Sequence, residues 1–500
     1  MLSFLLKTDA DEAIAAIGER FSIKKRGRNR RLVRYYDSFD WRCRSAGATL
    51  SHQNGRLALR RIADDGEIAS EKTPAPDAPF APKDLPQGEL RRRLAEILDV
   101  RVALPLFART RGGERYDVRN DDEKIVAKAI VEERRVSLNP VRGYERELDR
   151  AADALRALGA EPAPEEDFDA LAKAAGLEPG GYDSKVRLRL RPDDPARVSV
   201  VAILRRLAEH ARANEEGTVA DLDPEFLHDY RVSLRRTRAA LSQLKTVFRP
   251  EEIDRFRSGF KKLGDLTNPA RDLDVFLLDR DAYRGRLPER LAPGLARLFD
   301  RSEKERAAAK RKIARRLESA AHRRFFDSWL LFLERPFPED APEDARLPTV
   351  GYASRKIRRR YRNALKIGEA MIAEGPGPAM HRLRLECKKL RYLLEFFRSL
   401  YPKKKIGALV ARLKALQDAL GVYNDLLVQE ERMSELLADV RNDDAETAAA
   451  IGAMLAAAHQ RQAGAVRDYE REFARFAAKK TRAGFADLFR QPKTSAEASV

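Results

Sequence analysis

Two short runs of the chain set histidine and basic residues at matching positions. Residues 228–238 read His-Asp-Tyr-Arg-Val-Ser-Leu-Arg-Arg-Thr-Arg, and residues 381–391 read His-Arg-Leu-Arg-Leu-Glu-Cys-Lys-Lys-Leu-Arg. On a helix turning about 100° per residue, His228, Arg231, Arg235 and Arg238 fall within a stripe of roughly 80°. Phe226, Tyr230, Leu234, Leu241 and Leu244 lie on the opposite side and can face a core. The second run repeats this, with His381, Arg384, Lys388 and Arg391 set against Leu383, Leu390, Leu394, Phe397 and Tyr401. Such rows suit the binding of anions, because guanidinium and ammonium groups make charge-assisted hydrogen bonds to phosphate. A merely solvated face would carry acids four residues away to relieve like-charge repulsion. Between Ser354 and Lys405 there are sixteen Lys or Arg, four Glu and no Asp.

Catalytic chemistry has fewer candidates. No Cys, His or carboxylate cluster has metal-ligand spacing, and no nucleophile stands in a recognisable frame. The sequence therefore assigns no catalytic residue, no metal and no cofactor. His228 and His381 are read as hydrogen-bond donors to phosphate, or as organisers of the neighbouring Arg. Asp272 and Asp425 each follow the histidine by 44 residues (272 − 228 and 425 − 381). They either hold a basic-ridge residue in place or cap a helix.

The two runs belong to a longer duplication at one offset, 381 − 228 = 153. It pairs Arg231 with Arg384, Arg235 with Lys388, Arg236 with Lys389 and Arg238 with Arg391. Downstream it pairs Lys261 with Lys414 and Asp272 with Asp425; upstream it pairs Arg205-Arg206 with Arg358-Arg359. A register kept over some 70 residues is a repeat and not a coincidence of two amphipathic helices.

The elements that carry these residues divide the chain. Up to residue 192, strand-like and helical patterns alternate. Period-two segments at 56–62, 124–130 and 186–191 predict strands, and helices are expected around 89–98 and 144–158. Pro192-Asp193-Asp194-Pro195 marks a boundary. Beyond it run long amphipathic helices, punctuated by Pro224, Pro250 and Pro269, with a Pro-rich acidic linker from Pro336 to Pro348. The expected domains are 1–192, then 196–490 with repeats at 196–335 and 350–490, and a disordered tail at 491–500.

The 500 residues carry a net charge of +19 with pI near 9.8, which calls for a polyanionic partner. Cys43 and Cys387 are too far apart in sequence to form a metal motif, and two cysteines fit a reducing compartment. The start lacks a signal-peptide pattern and no apolar run reaches membrane-spanning length, so a cytoplasmic protein is expected.

The paired helix, followed by Leu-Thr-Asn-Pro-Ala-Arg-Asp-Leu-Asp-Val at 266–275 and Leu-Gly-Val-Tyr-Asn-Asp-Leu-Leu-Val at 420–428, resembles the CHAD family, the conserved histidine α-helical domain. The resemblance covers about 196 to 480. It implies an all-α domain of two pseudo-symmetric four-helix bundles, whose basic faces bind inorganic polyphosphate, and an association with polyphosphate granules. The implied contacts are His228, Arg231, Arg235, Arg236 and Arg238, with His381, Arg384, Lys388, Lys389 and Arg391. The paired Arg205, Arg206, Lys261, Arg358, Arg359 and Lys414 complete the candidate set. Lys at 388 and 389 keeps the charge of its partner Arg but loses the bidentate geometry.

The N-terminal part resembles the CYTH, or triphosphate tunnel, family through Arg34-Tyr35-Tyr36-Asp37-Ser38, Arg44-Ser45-Ala46-Gly47 and Ser184-Lys185. This implies an α+β domain built on a tunnel-like β-barrel. That family carries Glu-x-Glu-x-Lys near its start for metal and triphosphate. Here Ser3-Phe4-Leu5-Leu6-Lys7 keeps only the lysine, and Val136-Ser137-Leu138-Asn139 also lacks carboxylates. The barrel is thus expected to be degenerate and the protein not an enzyme, since a divalent ion lacks hard oxygen ligands.

Among polyanions, nucleic acid is the weaker match. Single-strand readers stack bases on aromatics beside a basic groove, whereas aromatics are 7% here and lie mainly on the apolar sides. A membrane surface would want exposed large apolar residues beside the charges. The rival function is a tunnel-fold triphosphatase or phosphohydrolase with a polyphosphate-binding accessory domain.

Overall fold

The computed structural model describes residues 2–490 apart from 29, 133, 163–166, 286, 375–377, 439 and 441–443. The expected tail at 491–500 lies outside the described residues. The chain divides into two compact units, Met1–Asp183 and Ser184–Val500.

The first unit contains eleven described strands: β1 Leu2–Leu5, β2 Ser22–Arg28, β3 Arg31–Asp37, β4 Ala48–Gln53, β5 Arg56–Arg61, β6 Glu67–Lys72, β7 Leu104–Arg111, β8 Glu114–Arg119, β9 Ile125–Glu132, β10 Arg135–Pro140 and β11 Glu161–Pro162. Its helices are α1 Ala10–Gly18, α2 Arg42–Ser45, α3 Glu89–Leu98, α4 Glu145–Ala157 and α5 Phe168–Ala174. The strands form two antiparallel sheets, ordered β11-β1-β10-β9-β8-β2 and β6-β5-β4-β3-β7. Each sheet has its own core. Ile17 of α1 and Leu155 of α4 pack with Val118, Val126 and Leu138 of the first sheet. Leu90, Leu94 and Leu98 of α3 pack with Leu50, Leu57 and Leu59 of the second.

The expected barrel does not close: both sheets are open. The edge strand β2 reads Ser-Ile-Lys-Lys-Arg-Gly-Arg, is mostly exposed, and has a register shift between Lys25 and Gly27. Charge and a bulge on an edge strand oppose further pairing. At the other edge, β11 is only two residues long.

The second unit is helical: α6 Ala196–Ala213, α7 Glu215–Val219, α8 Pro224–Gln243, α9 Pro250–Leu278, α10 Arg280–Arg284, α11 Ala292–Glu318, α12 Ala320–Leu333, α13 Glu343–Arg346, α14 Thr349–Glu374, α15 Pro378–Phe396, α16 Lys403–Ala438, α17 Ala445–Ala477 and α18 Lys479–Leu488. The first residues of α6 and α14 stand at the repeat offset (349 − 196 = 153), as do those of α9 and α16, and of α11 and α17. Yet buried residues of both halves, from Ala196 to Phe489, join in one contiguous core. Pro269 does not end its helix; α9 continues through it, with Leu263, Ala270 and Leu273 buried on either side. Here packing outweighs the hydrogen bond that proline removes.

The period-two segment at 186–191, expected as a strand, forms none and joins no sheet. Val186, Leu188 and Leu190 pack instead on the helical core, which is why the division falls ahead of Pro192. The acidic linker is docked as well: Ala345 is fully buried, and the Ala196 amide donates to the Leu347 carbonyl at 2.8 Å. No helix among the described residues is long and apolar enough to cross a membrane.

Candidate functional site

The phase of α8 is set at its start. The Asp223 side chain accepts from the amides of Glu225 and Phe226, and Pro224 takes the first helical position. Phe226, Tyr230, Leu234 and Leu241 are then buried, while His228, Arg231 and Arg236 are half-buried and Arg235 and Arg238 exposed. On α15, Leu383, Leu390 and Leu394 are buried; Arg384, Lys388, Lys389 and Arg391 are half-buried and His381 is exposed. The equivalent histidines therefore sit in unlike surroundings.

The two ridges meet where α8 packs against α15. Burial, Arg384 and Arg235 together pull Lys388 down to about 8, against the opposing pull of Asp425. Arg384 is lowered by burial and by Arg235, again against Asp425. A charge on α8 that perturbs two on α15 must lie near both. Arg231, Arg235, Arg384 and Lys388 thus form one cationic face.

Neighbouring helices orient this face. Arg231 Nη1 donates to Asn268 Oδ1 at 2.7 Å and to Thr267 Oγ1 at 3.0 Å, both on α9. Burial, with Arg235 and Arg271 against Asp272, lowers Arg231 to about 10, so it stays charged at neutral pH. Arg238 lies over Gly264 of α9, where a Cβ would come within 2.7 Å of its Nη1. Asp425 lies 3.7 Å from Arg384, and Asp272 stands in the field of Arg231, Arg271 and Arg432. Both aspartates are interior to long helices, α16 and α9, so they are not caps. The acids missing from the ridges are supplied from the side.

Some candidates are committed to protein contacts. Arg236 donates to Glu395 Oε2 at 3.2 Å and to the Ser184 carbonyl at 2.8 Å. Arg391 donates to the other oxygen of Glu395 at 2.6 Å. Lys389 lies 3.3 Å from Glu386, which also receives Arg360 at 2.7 Å. Arg206 pairs with Glu209 and Lys414 with Asp418, while Arg205 reaches the Leu333 carbonyl at 3.4 Å. Arg358 and Arg359 are on α14 and Lys261 is on α9.

His228 is held down to about 4 by burial, then by Arg271, with Asp229 opposing and Arg235 and Arg231 adding. It is a neutral imidazole at pH 7. Glu225, His228 and Asp229 place ligand-type atoms within 4.8 Å of one another, a grouping that sequence spacing did not single out. Arg271 lies 3.9 Å from Glu225, and the nearby cations disfavour a divalent ion there. Arg271 was overlooked although it sits inside the 266–275 motif; Arg360 and Arg432 gave no comparable signal.

In the first unit, Ser3 and Ser137, two positions expected to lack metal ligands, meet across the sheet. Ser3 Oγ and Ser137 Oγ are 3.0 Å apart on paired strands β1 and β10. Lys7 pairs with Glu161 at 2.6 Å. The unit also has an open cleft of about 850 Å³, lined by Leu5 and by Arg28, Arg30, Arg109, Arg134 and Arg135 among others.

Residues 202–434 match the CHAD domain. The helical unit therefore carries a CHAD domain. Across 299 residues the chain is 25% identical to an uncharacterized protein of Mycobacterium tuberculosis, covering 57% of this chain and 53% of that one. It thus spans about half the length of that curated relative. A crystal structure of the CHAD domain from the plant Ricinus communis is 27% identical, with TM-score 0.49, covering 62% of this chain and 98% of that one. PptA from Streptomyces chartreusis is 15% identical, with TM-score 0.45, covering 56% and 99%.

Proposed function

We propose that the helical unit binds inorganic polyphosphate without turning it over, through the face where α8 meets α15. The observation that carries this is the convergence of Arg231, Arg235, Arg384 and Lys388, held by α9 and α16 despite their mutual repulsion. A dense polyanion offsets that repulsion, and rows of Arg and Lys suffice for a polymer that has no bases to read. The CHAD domain agrees with this choice. The reading includes a pseudo-symmetric pair of helical bundles, supported by the matched helix starts, and an association with polyphosphate granules. Ser3 and Leu5 in place of acids support a first unit without metal-dependent triphosphatase activity.

The test is a titration with long-chain polyphosphate at several salt concentrations, with duplex DNA as competitor. If about seven phosphates are neutralised at about −0.7 per contact, log K falls with log salt at a slope near −5. Affinity then drops about a thousandfold between about 50 and 200 mM salt. Arg235→Ala with Lys388→Ala should weaken binding and make the slope shallower by about 1.4. Arg231 is a poorer choice, because its bonds to α9 make it part of the fold. An unchanged slope in the double variant, or DNA winning the competition, would reject polyphosphate as the ligand.

A further inference from the structure

We propose that the segment 184–191 is a third cationic row of the polyanion site, contributed from outside the CHAD match. The inference rests on the polyphosphate reading above. Val186, Leu188 and Leu190 are half-buried on the helical core, and the alternate Lys185, Arg187, Arg189 and Arg191 are exposed. No strand ladder imposes this alternation. The apolar residues alone would hold the strap, and any polar residue could face water, yet all four outward positions are cations. Lys185 and Arg187 also interact within the protein. Arg189 and Arg191 form no ion pair with any described residue.

The strap is fastened beside the cationic face. Its first carbonyl, that of Ser184, accepts from Arg236 of α8, which is bridged to Glu395 of α15. Six residues on, the Leu190 amide donates to Ser399 Oγ at 3.1 Å, just past the end of α15. The Pro192 carbonyl then accepts from the Val350 amide at the start of α14. The strap thus sets Arg187 and Arg189 on the surface between its Arg236 and Ser399 fastenings, with Arg191 just beyond. A long phosphate polymer that engages both places gains from effective concentration, whereas a three-phosphate chain is too short to span them.

The 500-residue chain with Arg189→Ala and Arg191→Ala should bind long-chain polyphosphate about tenfold more weakly. Its salt slope should be shallower by about 1.4, its affinity for tripolyphosphate unchanged, and its thermal unfolding unaltered. Arg189→Lys with Arg191→Lys should restore binding, since a flexible polymer needs charge rather than a bidentate fork. If this pair leaves long-chain binding unchanged while Arg235→Ala with Lys388→Ala weakens it, the strap is only structural and the inference is wrong. If it weakens tripolyphosphate equally, the spanning role is wrong. If neither pair matters, the polyphosphate reading itself fails, and the strap inference with it.

Discussion

Arg236 Nη2 on α8 and Glu395 Oε2 on α15 are 3.2 Å apart, so one carboxylate joins the first repeat to the second. Its other oxygen takes Arg391 at 2.6 Å. The Arg236 side chain is only 14% exposed, and removing its partner would leave a charge with few alternatives. Glu395→Ala should therefore destabilise the helical unit by about 1.5–3 kcal/mol, the range for hydrogen bonds to charged groups. Glu395→Gln should cost less. Urea unfolding of both variants checks this; no loss in either would mean the bridge is idle.

Lys388 gives a pH signature. Its ammonium, lowered to about 8, faces Arg384 and Arg235, with Asp425 opposing them. Phosphate favours the charged form, so affinity should fall as pH rises through 8, by up to about tenfold per pH unit for one coupled proton. Stability should move the other way. Between about 8 and the ordinary lysine value of 10.5, the unfolded chain binds the extra proton and stability rises with pH. Calorimetry in buffers of different ionisation heat should show proton uptake near pH 8, absent in Lys388→Met.

The 500-residue chain given tripolyphosphate with Mg²⁺ or Mn²⁺ should release no phosphate above background. The reason is local: Ser3 and Ser137 hydrogen-bond to each other at 3.0 Å where a metal would need carboxylates. Metal-dependent turnover abolished by Lys7→Ala would overturn this.

The segment 184–500 should fold alone and keep its polyphosphate affinity within about threefold, because its core is self-contained. A fragment starting at 196 would lose Val186, Leu188 and Leu190 from that core and should be less stable. Circular dichroism melts of the two fragments, with polyphosphate titrations, decide the matter.

The faces of α8 and α15 were legible in the sequence because a 3.6-residue period separates Leu234 from Arg235 and Leu390 from Arg391 without knowledge of any partner. Their convergence was not, since Arg235 and Lys388 are 153 residues apart and meet only through tertiary packing. The lateral acids were legible as a choice: their equal spacing from the histidines marked Asp272 and Asp425 as holders of a ridge residue or as caps, and only packing, which brings Asp425 to Arg384 from another helix, decides it. At 186–191 the period-two pattern reported alternate burial, but the buried side faces helices and not a sheet, so no strand forms. The barrel expectation failed because strand count does not fix closure; the charged, bulged β2 leaves its sheet open.

Because the two repeats share a core, cutting the chain between them would not by itself separate them. Leu333, just before the linker, and Ala345, within it, are both buried in that core. A protease acting between them would break a covalent link and little of the packing. The products would stay together as a nicked pair that melts in one transition. Neither piece, made separately, would inherit half of the stability, because each would expose the apolar surface that the other had covered.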